Sequence, residues 1–159
     1  MSKLFFVILF SISLLILIIM VMAIQNGNKT DSDISCLAVQ STTHGDFSLH
    51  GEFDFLFSNK KGRVRINGIT VLSGKVSIVS RQIFFSYTHY QSDFVLKSQQ
   101  VQLMNNGDAT IANGDFNHHF PAFFSQEEKQ LSITIRQDRS GNFVMYFADV
   151  PVFYCEPKY

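Results

Sequence analysis

Two patterns of hydrophobic and polar positions divide the chain. Residues 4–24 form an apolar run without a charged residue, in which Ser11 and Ser13 are the only polar positions. At about 1.5 Å per residue, a helix of this run is about 30 Å long, which is enough to cross the hydrocarbon core of a bilayer. We therefore predict a transmembrane helix over residues 4–24. A cleaved signal peptide is the alternative, because residues 21–23 resemble a cleavage site.

From residue 46 onward, apolar and polar residues alternate with a period of two, which is typical of strands that bury one face. In the first such segment, Phe47, Leu49, Phe53, Phe55 and Phe57 share one face. Turn-forming residues separate the later segments, and Gly68 is expected to mark a bulge or bend. The predicted strands cover residues 46–58, 63–72, 75–89, 94–104, 131–136 and 143–154, with a further short strand within residues 109–124. Pro151 interrupts the last run, which is therefore either an edge strand or two strands around a bulge.

Seven or eight antiparallel strands with short turns leave two architectures, an up-and-down barrel and an open β-sandwich. The two cysteines favour the barrel. Cys36 precedes the first predicted strand and Cys155 ends the last one, and closure makes these two strands neighbours. A disulfide between them would lock the closure, with two unpaired thiols as the alternative. We predict a mostly β chain, in which an N-terminal transmembrane helix precedes an antiparallel β-barrel of about eight strands.

The charges near the apolar run indicate which side of the membrane the barrel occupies. Lys3 and the amino terminus lie before the run, and basic residues beside a span prefer the cytoplasm. We therefore predict an exported, oxidising location for the barrel. The predicted organisation is a cytoplasmic tip at residues 1–3, a transmembrane helix at 4–24, a linker at 25–33 and a barrel domain at 34–159.

Composition narrows the function. Thirteen basic and thirteen acidic side chains give a formal net charge of zero, which is unlike a nucleic-acid binder. Seventeen Phe and five Tyr exceed what a small core needs, and an eight-stranded barrel has room for packed side chains or for one small ligand. Core packing is one interpretation, and a pocket for an amphipathic molecule is the other, with Arg65 or Arg81 as an anion anchor at its mouth. The residues predicted to line the pocket are Phe53, Phe55, Phe57, Arg65, Arg81, Phe85, Tyr87 and Phe147.

Catalytic and metal motifs are not apparent in the sequence. No nucleophile elbow or phosphate-binding glycine loop occurs, so an enzyme is not predicted, and no cofactor is predicted either. The five histidines lack the spacing of a helical metal site. If a metal binds, the expected place is the cluster formed by Asp115, Asn117, His118 and His119.

Three segments resemble a known family: DISCLAV around Cys36, GRVRINGITVLSGKVSIVSRQIFFSY at residues 62–87, and the closing PVFYC. The chain resembles the FidL-like membrane proteins of enteric bacteria over nearly its whole length. Members of that family are encoded beside membrane-bound winged-helix regulators of the ToxR type, and they look like distant relatives of the periplasmic partners ToxS and VtrC. The resemblance implies a lipocalin-like barrel in the periplasm, a single-pass anchor in the inner membrane, and a role in signal transduction and virulence regulation.

The leading hypothesis is an accessory or sensor subunit that binds and stabilises the periplasmic domain of a ToxR-like regulator. Such a protein forms a heterodimer with the regulator, and the resemblance adds a bile-salt-like molecule as a possible ligand. The rival hypothesis is a membrane-anchored structural or assembly protein, such as a chaperone for a surface factor. A chaperone of this kind would offer an open strand edge for β-addition.

Overall fold

The computed structural model describes residues 2–27, 33–104, 108 and 118–158. The chain divides into two compact units, Met1–Ser32 and Asp33–Tyr159. The boundary falls within the predicted linker at residues 25–33.

The first unit contains one helix, α1, which covers Ser2–Gly27. The helix predicted over residues 4–24 is therefore present and extends slightly beyond both ends of the apolar run. The side chains of residues 10–22 are exposed, and most of them are large and apolar. Within the residues that the structure describes, we find no helix that is both long enough and apolar enough to cross a membrane. The transmembrane role of residues 4–24 stays a prediction.

The second unit is a closed antiparallel barrel in which eight strands are neighbours in chain order. The barrel prediction is confirmed, and the sandwich alternative is excluded because β8 pairs with β1. A 3-10 helix, Ala122–Phe124, lies in the connection between β5 and β6. The strands are β1 Ile34–His44, β2 Phe47–Ser58, β3 Lys61–Leu72, β4 Lys75–Tyr90, β5 Asp93–Leu103, β6 Gln130–Gln137, β7 Phe143–Phe147 and β8 Val150–Pro157.

One part of the predicted strand pattern was wrong. Cys36 lies inside β1 instead of preceding the first strand. Only the first half of β1 buries alternate residues, and its polar second half hid the strand from the sequence pattern. The last predicted run is two strands, which was one of its two interpretations, and the chain turns at Ala148 and Asp149, both of which have positive φ. Pro151 does not interrupt β8, where it pairs with Tyr146 beside a register shift. The short strand predicted within residues 109–124 falls mostly outside the described residues.

The backbones of β2 and β3 approach each other closely where two glycines face each other. Gly51 of β2 pairs directly with Gly68 of β3, and no register shift occurs there, so the bulge predicted at Gly68 is absent. A Cβ on Gly68 would lie 2.6 Å from the His50 carbonyl oxygen and 2.7 Å from the Gly51 Cα. The backbones therefore approach too closely for a side chain, which is the positional role that glycine has inside strands.

Among the residues that the structure describes, the wall is incomplete at the end where the β1–β2 and β3–β4 turns lie. There β5 pairs with β6 only over Asp93–Lys97, because β6 begins opposite the middle of β5. The segment that precedes β6 is held to β5 by Ser98. The Ser98 N–H donates to the Lys129 carbonyl at 2.9 Å, and the Ser98 hydroxyl donates to the Gln126 carbonyl at 2.7 Å. This connection, which includes the 3-10 helix, thus lies beside the missing part of the wall.

The closing seam of the barrel is short and carries the disulfide. Strands β1 and β8 pair through only three residue pairs, Cys36 with Pro157, Leu37 with Glu156 and Ala38 with Cys155. Cys36 and Cys155 are bonded, with their Cα atoms 5.4 Å apart, and both are fully buried. The predicted disulfide is confirmed, and it crosses the seam that has the fewest backbone hydrogen bonds to close it.

We expect the double substitution Cys36→Ser, Cys155→Ser to lower the free energy of unfolding by up to about 4–5 kcal/mol, because the bond closes a loop of 119 residues in the unfolded chain. Urea unfolding of the wild type and the double variant measures this difference. Reduction of the disulfide in the wild-type protein should lower the free energy of unfolding by the same amount. Equal midpoints for the oxidised and reduced proteins would show that the short seam is sufficient by itself.

Candidate functional site

The barrel interior contains most of the aromatic residues predicted to line a pocket. Phe53, Phe55, Phe57, Phe85 and Tyr87 all point inward and are at most 4% exposed. The alternation along β2 and β4 explains this placement, since every second residue of each strand is buried. The structure therefore brings these five predicted residues together in one cluster.

The rings in this cluster contact one another. The centroid of Phe53 lies 4.7 Å from that of Phe153, and the centroid of Phe57 lies 5.2 Å from that of Phe85 and 5.4 Å from that of Tyr87. These separations lie within the range of favourable aromatic pairs. The packed-core interpretation is therefore the one that the geometry of these rings favours.

Phe147 and Arg65 lie at the margin of this interior or outside it. Phe147 is half-buried on β7, and its ring lies 5.8 Å from that of Phe153. Arg65 lies on the outer face of β3, because it alternates with the buried Val64 and Ile66. Its Nη2 donates to Gln82 Oε1 at 3.4 Å, so its guanidinium contacts a neighbouring strand instead of the barrel interior.

Arg81 occupies the interior and already has an anionic partner. It is fully buried, and its Nε and Nη2 donate to the two carboxylate oxygens of Asp108 at 2.9 and 2.8 Å. Its Nη1 donates to the Phe124 carbonyl at 3.4 Å, and the Ser80 N–H donates to Asp108 Oδ2 at 3.0 Å. A bidentate pair of this kind fixes geometry as well as charge. The expected anion anchor is therefore occupied by a residue of the same chain.

Sequence reasoning missed the 3-10 helix residues and the partner of Arg81. Phe123 and Phe124 are buried, and their rings lie 5.1 Å apart and extend the aromatic cluster. The only sequence signal for them was the apolar run after Pro121, in a segment that otherwise reads as a loop. Asp108 is the last residue of a turn predicted over residues 105–108, and nothing in the sequence distinguishes it from a solvated turn residue.

The outer face of β3 and β4 carries exposed apolar side chains. Ile69 of β3 pairs directly with Ile78 of β4, and Val71 pairs with Val76. Ile69, Ile78 and Val76 are 48%, 46% and 63% exposed. Met104 is also exposed, and its N–H donates to the Ser80 carbonyl of β4 at 2.8 Å. We call Ile69, Val71, Val76, Ile78 and Met104 the outer apolar patch.

A shallow groove of about 310 Å³ lies where β5, β6 and β7 meet. It contains two carboxylates, Asp93 and Asp149, and the Tyr146 ring. Asp93 Oδ1 already accepts a hydrogen bond from the Thr134 hydroxyl at 2.7 Å. An open groove in which one carboxylate is already hydrogen-bonded can hold a small polar group. Its described lining residues do not add a histidine, a cysteine or a basic side chain beside Asp93 and Asp149.

Two histidines meet beside the turn between β1 and β2. The Nδ1 atoms of His44 and His119 lie 3.3 Å apart, although 75 residues separate them in the chain. Asp46 lies in the same turn and accepts a hydrogen bond from the Ser73 hydroxyl. This bond is the main reason that the pKa of Asp46 is lowered, and the charge of His119 lowers it further. His118 is exposed, whereas Asp115 and Asn117 of the predicted cluster lie outside the described residues.

A second carboxylate has its pKa shifted by hydrogen bonds. The Tyr154 hydroxyl donates to Asp138 Oδ2 at 2.7 Å, in the turn between β6 and β7. This bond lowers the pKa of Asp138 and raises the pKa of Tyr154. The N–H groups of Ser140 and Asn142 also donate to Asp138, so this network serves to shape the turn. Across residues 33–104, 108 and 118–158, no group of three or more His, Cys, Asp or Glu side chains could hold a metal ion.

A comparison with known protein families identifies the family of the barrel domain. The YqeJ C-terminal domain matches over residues 31–155, which include nearly the whole barrel and both cysteines. The chain belongs to the YqeJ C-terminal domain family. No curated protein and no solved structure matches the chain.

The YqeJ C-terminal domain is not the family that the sequence motifs resembled. No comparison supports the FidL-like assignment specifically, or the more distant relation to ToxS and VtrC, and both stay predictions. The matched region begins after α1 and ends at Cys155, so the family assignment covers the disulfide-closed barrel.

For the YqeJ C-terminal domain described here, the packed interior predicts that Phe55→Ala lowers the free energy of unfolding by about 3–5 kcal/mol, because a fully packed ring is lost. The packing also predicts that excess bile salt leaves the melting temperature unchanged, since a ligand raises stability only by binding the native state. Thermal and urea melts measure both effects. Leu56→Ala, at the half-buried neighbour on the other face of β2, is the matched control and should cost clearly less. A small loss at Phe55 together with a bile-salt shift would instead establish an internal pocket.

The Arg81–Asp108 pair generates a further prediction. Arg81→Met and Asp108→Asn should each cost about 3–5 kcal/mol of stability, because each removes one member of a buried ion pair. The double variant should cost less than the sum of the two single variants, and urea unfolding of all four proteins gives the coupling energy. The exposed pair between Lys97 and Glu128 is the control, and its coupling should be about 0–1 kcal/mol. Additive losses at Arg81 and Asp108 would contradict a mutual dependence.

Proposed function

We propose that this chain is an exported accessory subunit, anchored in the membrane by residues 4–24, that binds the exported domain of a membrane-bound winged-helix regulator of the ToxR type. In this role it stabilises the regulator and takes part in its signalling. The FidL-like resemblance motivates the choice of partner, and the apolar run at residues 4–24 motivates the anchor.

The outer apolar patch is the observation that carries the proposal. Its cross-strand pairs, Ile69 with Ile78 and Val71 with Val76, place apolar side chains side by side on the outside of the barrel. Exposed apolar surface of this kind is typical of sites where a folded domain associates with another protein or with a membrane. Arg63 and Arg65 continue the same face of β3, so the patch has the polar rim that protein interfaces usually have.

Two further features support an interaction role. The aromatic interior is packed and the guanidinium of Arg81 is paired with Asp108, so the chemistry available to a partner lies on the outer surface. The disulfide suits an oxidising compartment, where the exported domain of a membrane-bound regulator would also lie. A bile-salt-like ligand stays a prediction that the Phe55 melts test.

The proposal is tested by purifying the tagged full-length chain from native membranes and identifying the proteins that accompany it. A membrane protein with a cytoplasmic winged helix should be recovered. The substitution Ile78→Asp should reduce that recovery at least tenfold, because it introduces a charge into the apolar patch. The side chain is 46% exposed, so the fold should tolerate the change.

Val150→Asp is the matched control, because Val150 is another exposed apolar residue, on β8 and away from the patch. It should leave recovery unchanged. Recovery of surface or pilus subunits without a regulator would favour the assembly-protein hypothesis. Equal recovery with the Asp variants at positions 78 and 150 would show that the outer apolar patch is not the interface.

A further inference from the structure

The contact between His44 and His119 is built from two separate parts of the chain. His44 is the last residue of β1, and the two-residue turn after it, in which Gly45 has a φ of +63°, leads directly into Phe47. His119 comes from the connection between β5 and β6. Its ring stacks on the buried Phe47 ring with centroids 4.0 Å apart and planes inclined by 8°. The turn and the stacking therefore hold both imidazoles in place.

The separation of the two ring nitrogens matches the edge of a metal coordination shell. Zn²⁺ binds imidazole nitrogen at about 2.0–2.1 Å with tetrahedral geometry, so two bound nitrogens lie about 3.3 Å apart. The observed Nδ1 to Nδ1 distance is 3.3 Å. Without a metal, one Nδ1–H donates to the other Nδ1. When a metal is bound, the lone pair of each Nδ1 points to the ion, and each ring carries its proton on Nε2.

We propose that His44 and His119 bind a divalent transition-metal ion of the zinc class through their Nδ1 atoms. Imidazole is a preferred ligand of Zn²⁺, Cu²⁺ and Ni²⁺, so the donor type fits this class. Among the described residues, no third His, Cys, Asp or Glu joins them in a group that could hold a metal. Two protein ligands are fewer than a structural or catalytic zinc site has, so we expect weak binding and a metal that exchanges with its surroundings.

The local charge favours a cation at this place. Asp46 lies in the turn between His44 and Phe47, and its carboxylate accepts a hydrogen bond from the Ser73 hydroxyl. A bound cation would therefore lie near the carboxylate of Asp46. It would also join the β1–β2 turn to the segment that lies beside the incomplete part of the barrel wall.

The inference is independent of the proposed function, because the histidine pair uses no residue of the outer apolar patch and does not need a partner protein. The test is equilibrium dialysis of the untagged full-length chain in detergent against ZnCl₂ and, separately, NiCl₂. We expect one metal ion per chain at micromolar concentration and a rise in melting temperature with metal. His44→Ala should weaken binding at least tenfold and abolish the rise, and since His44 is exposed, this variant should fold.

His50→Ala is the matched control, since His50 is an exposed histidine on the outer face of β2. It should bind metal as the wild type does. His119→Ala should reproduce the loss seen with His44→Ala, which identifies the pair as the site. Binding absent at millimolar metal, or equal binding by the wild type and by His44→Ala, would overturn the inference.

Discussion

Closure of the barrel across the seam between β1 and β8 is the constraint on which the rest of the structure depends. A sheet that closes has no free edge there, and its interior is then fixed in width by the strand number. Only three residue pairs join the two strands, and the bond between Cys36 and Cys155 crosses the same place. The covalent bond thus compensates for a short hydrogen-bond ladder. Once the seam is closed, the inward faces of all eight strands must share one small volume.

Phenyl rings fill that volume. Phe53, Phe57 and Phe85 are at most 1% exposed, and each has ring neighbours from another strand. Large flat side chains bury much apolar area for each residue. This suits a small barrel in which the backbones of neighbouring strands approach closely at Gly51 and Gly68. The aromatic surplus in the composition therefore has a structural explanation in the packed core.

The connection between β5 and β6 lies beside the part of the barrel wall where these two strands do not pair. Phe123 and Phe124 of the 3-10 helix are buried against the strands, and Arg81 is held between the Asp108 carboxylate and the Phe124 carbonyl. A buried guanidinium is costly unless it is paired and hydrogen-bonded. The Arg81 guanidinium is therefore paired with an anion of the same chain. The apolar patch and the histidine pair, which carry our two proposals, lie on the outer surface.

The sequence by itself determined the elements with strong local periodicity. The alternation in β2, the helix at residues 4–24 and the turns around β3 and β4 could be predicted, because period-two burial and turn chemistry are properties of a few neighbouring residues. The two cysteines also indicated closure, because a barrel makes the first and last strands adjacent. The polar half of β1 and the turn at Ala148 and Asp149 were missed, because neither has a local pattern. Only the tertiary structure decided that Arg81 meets Asp108 and that His44 meets His119. Each of these depends on strand register and on the path of a long connection, which bring together residues that are distant in the chain.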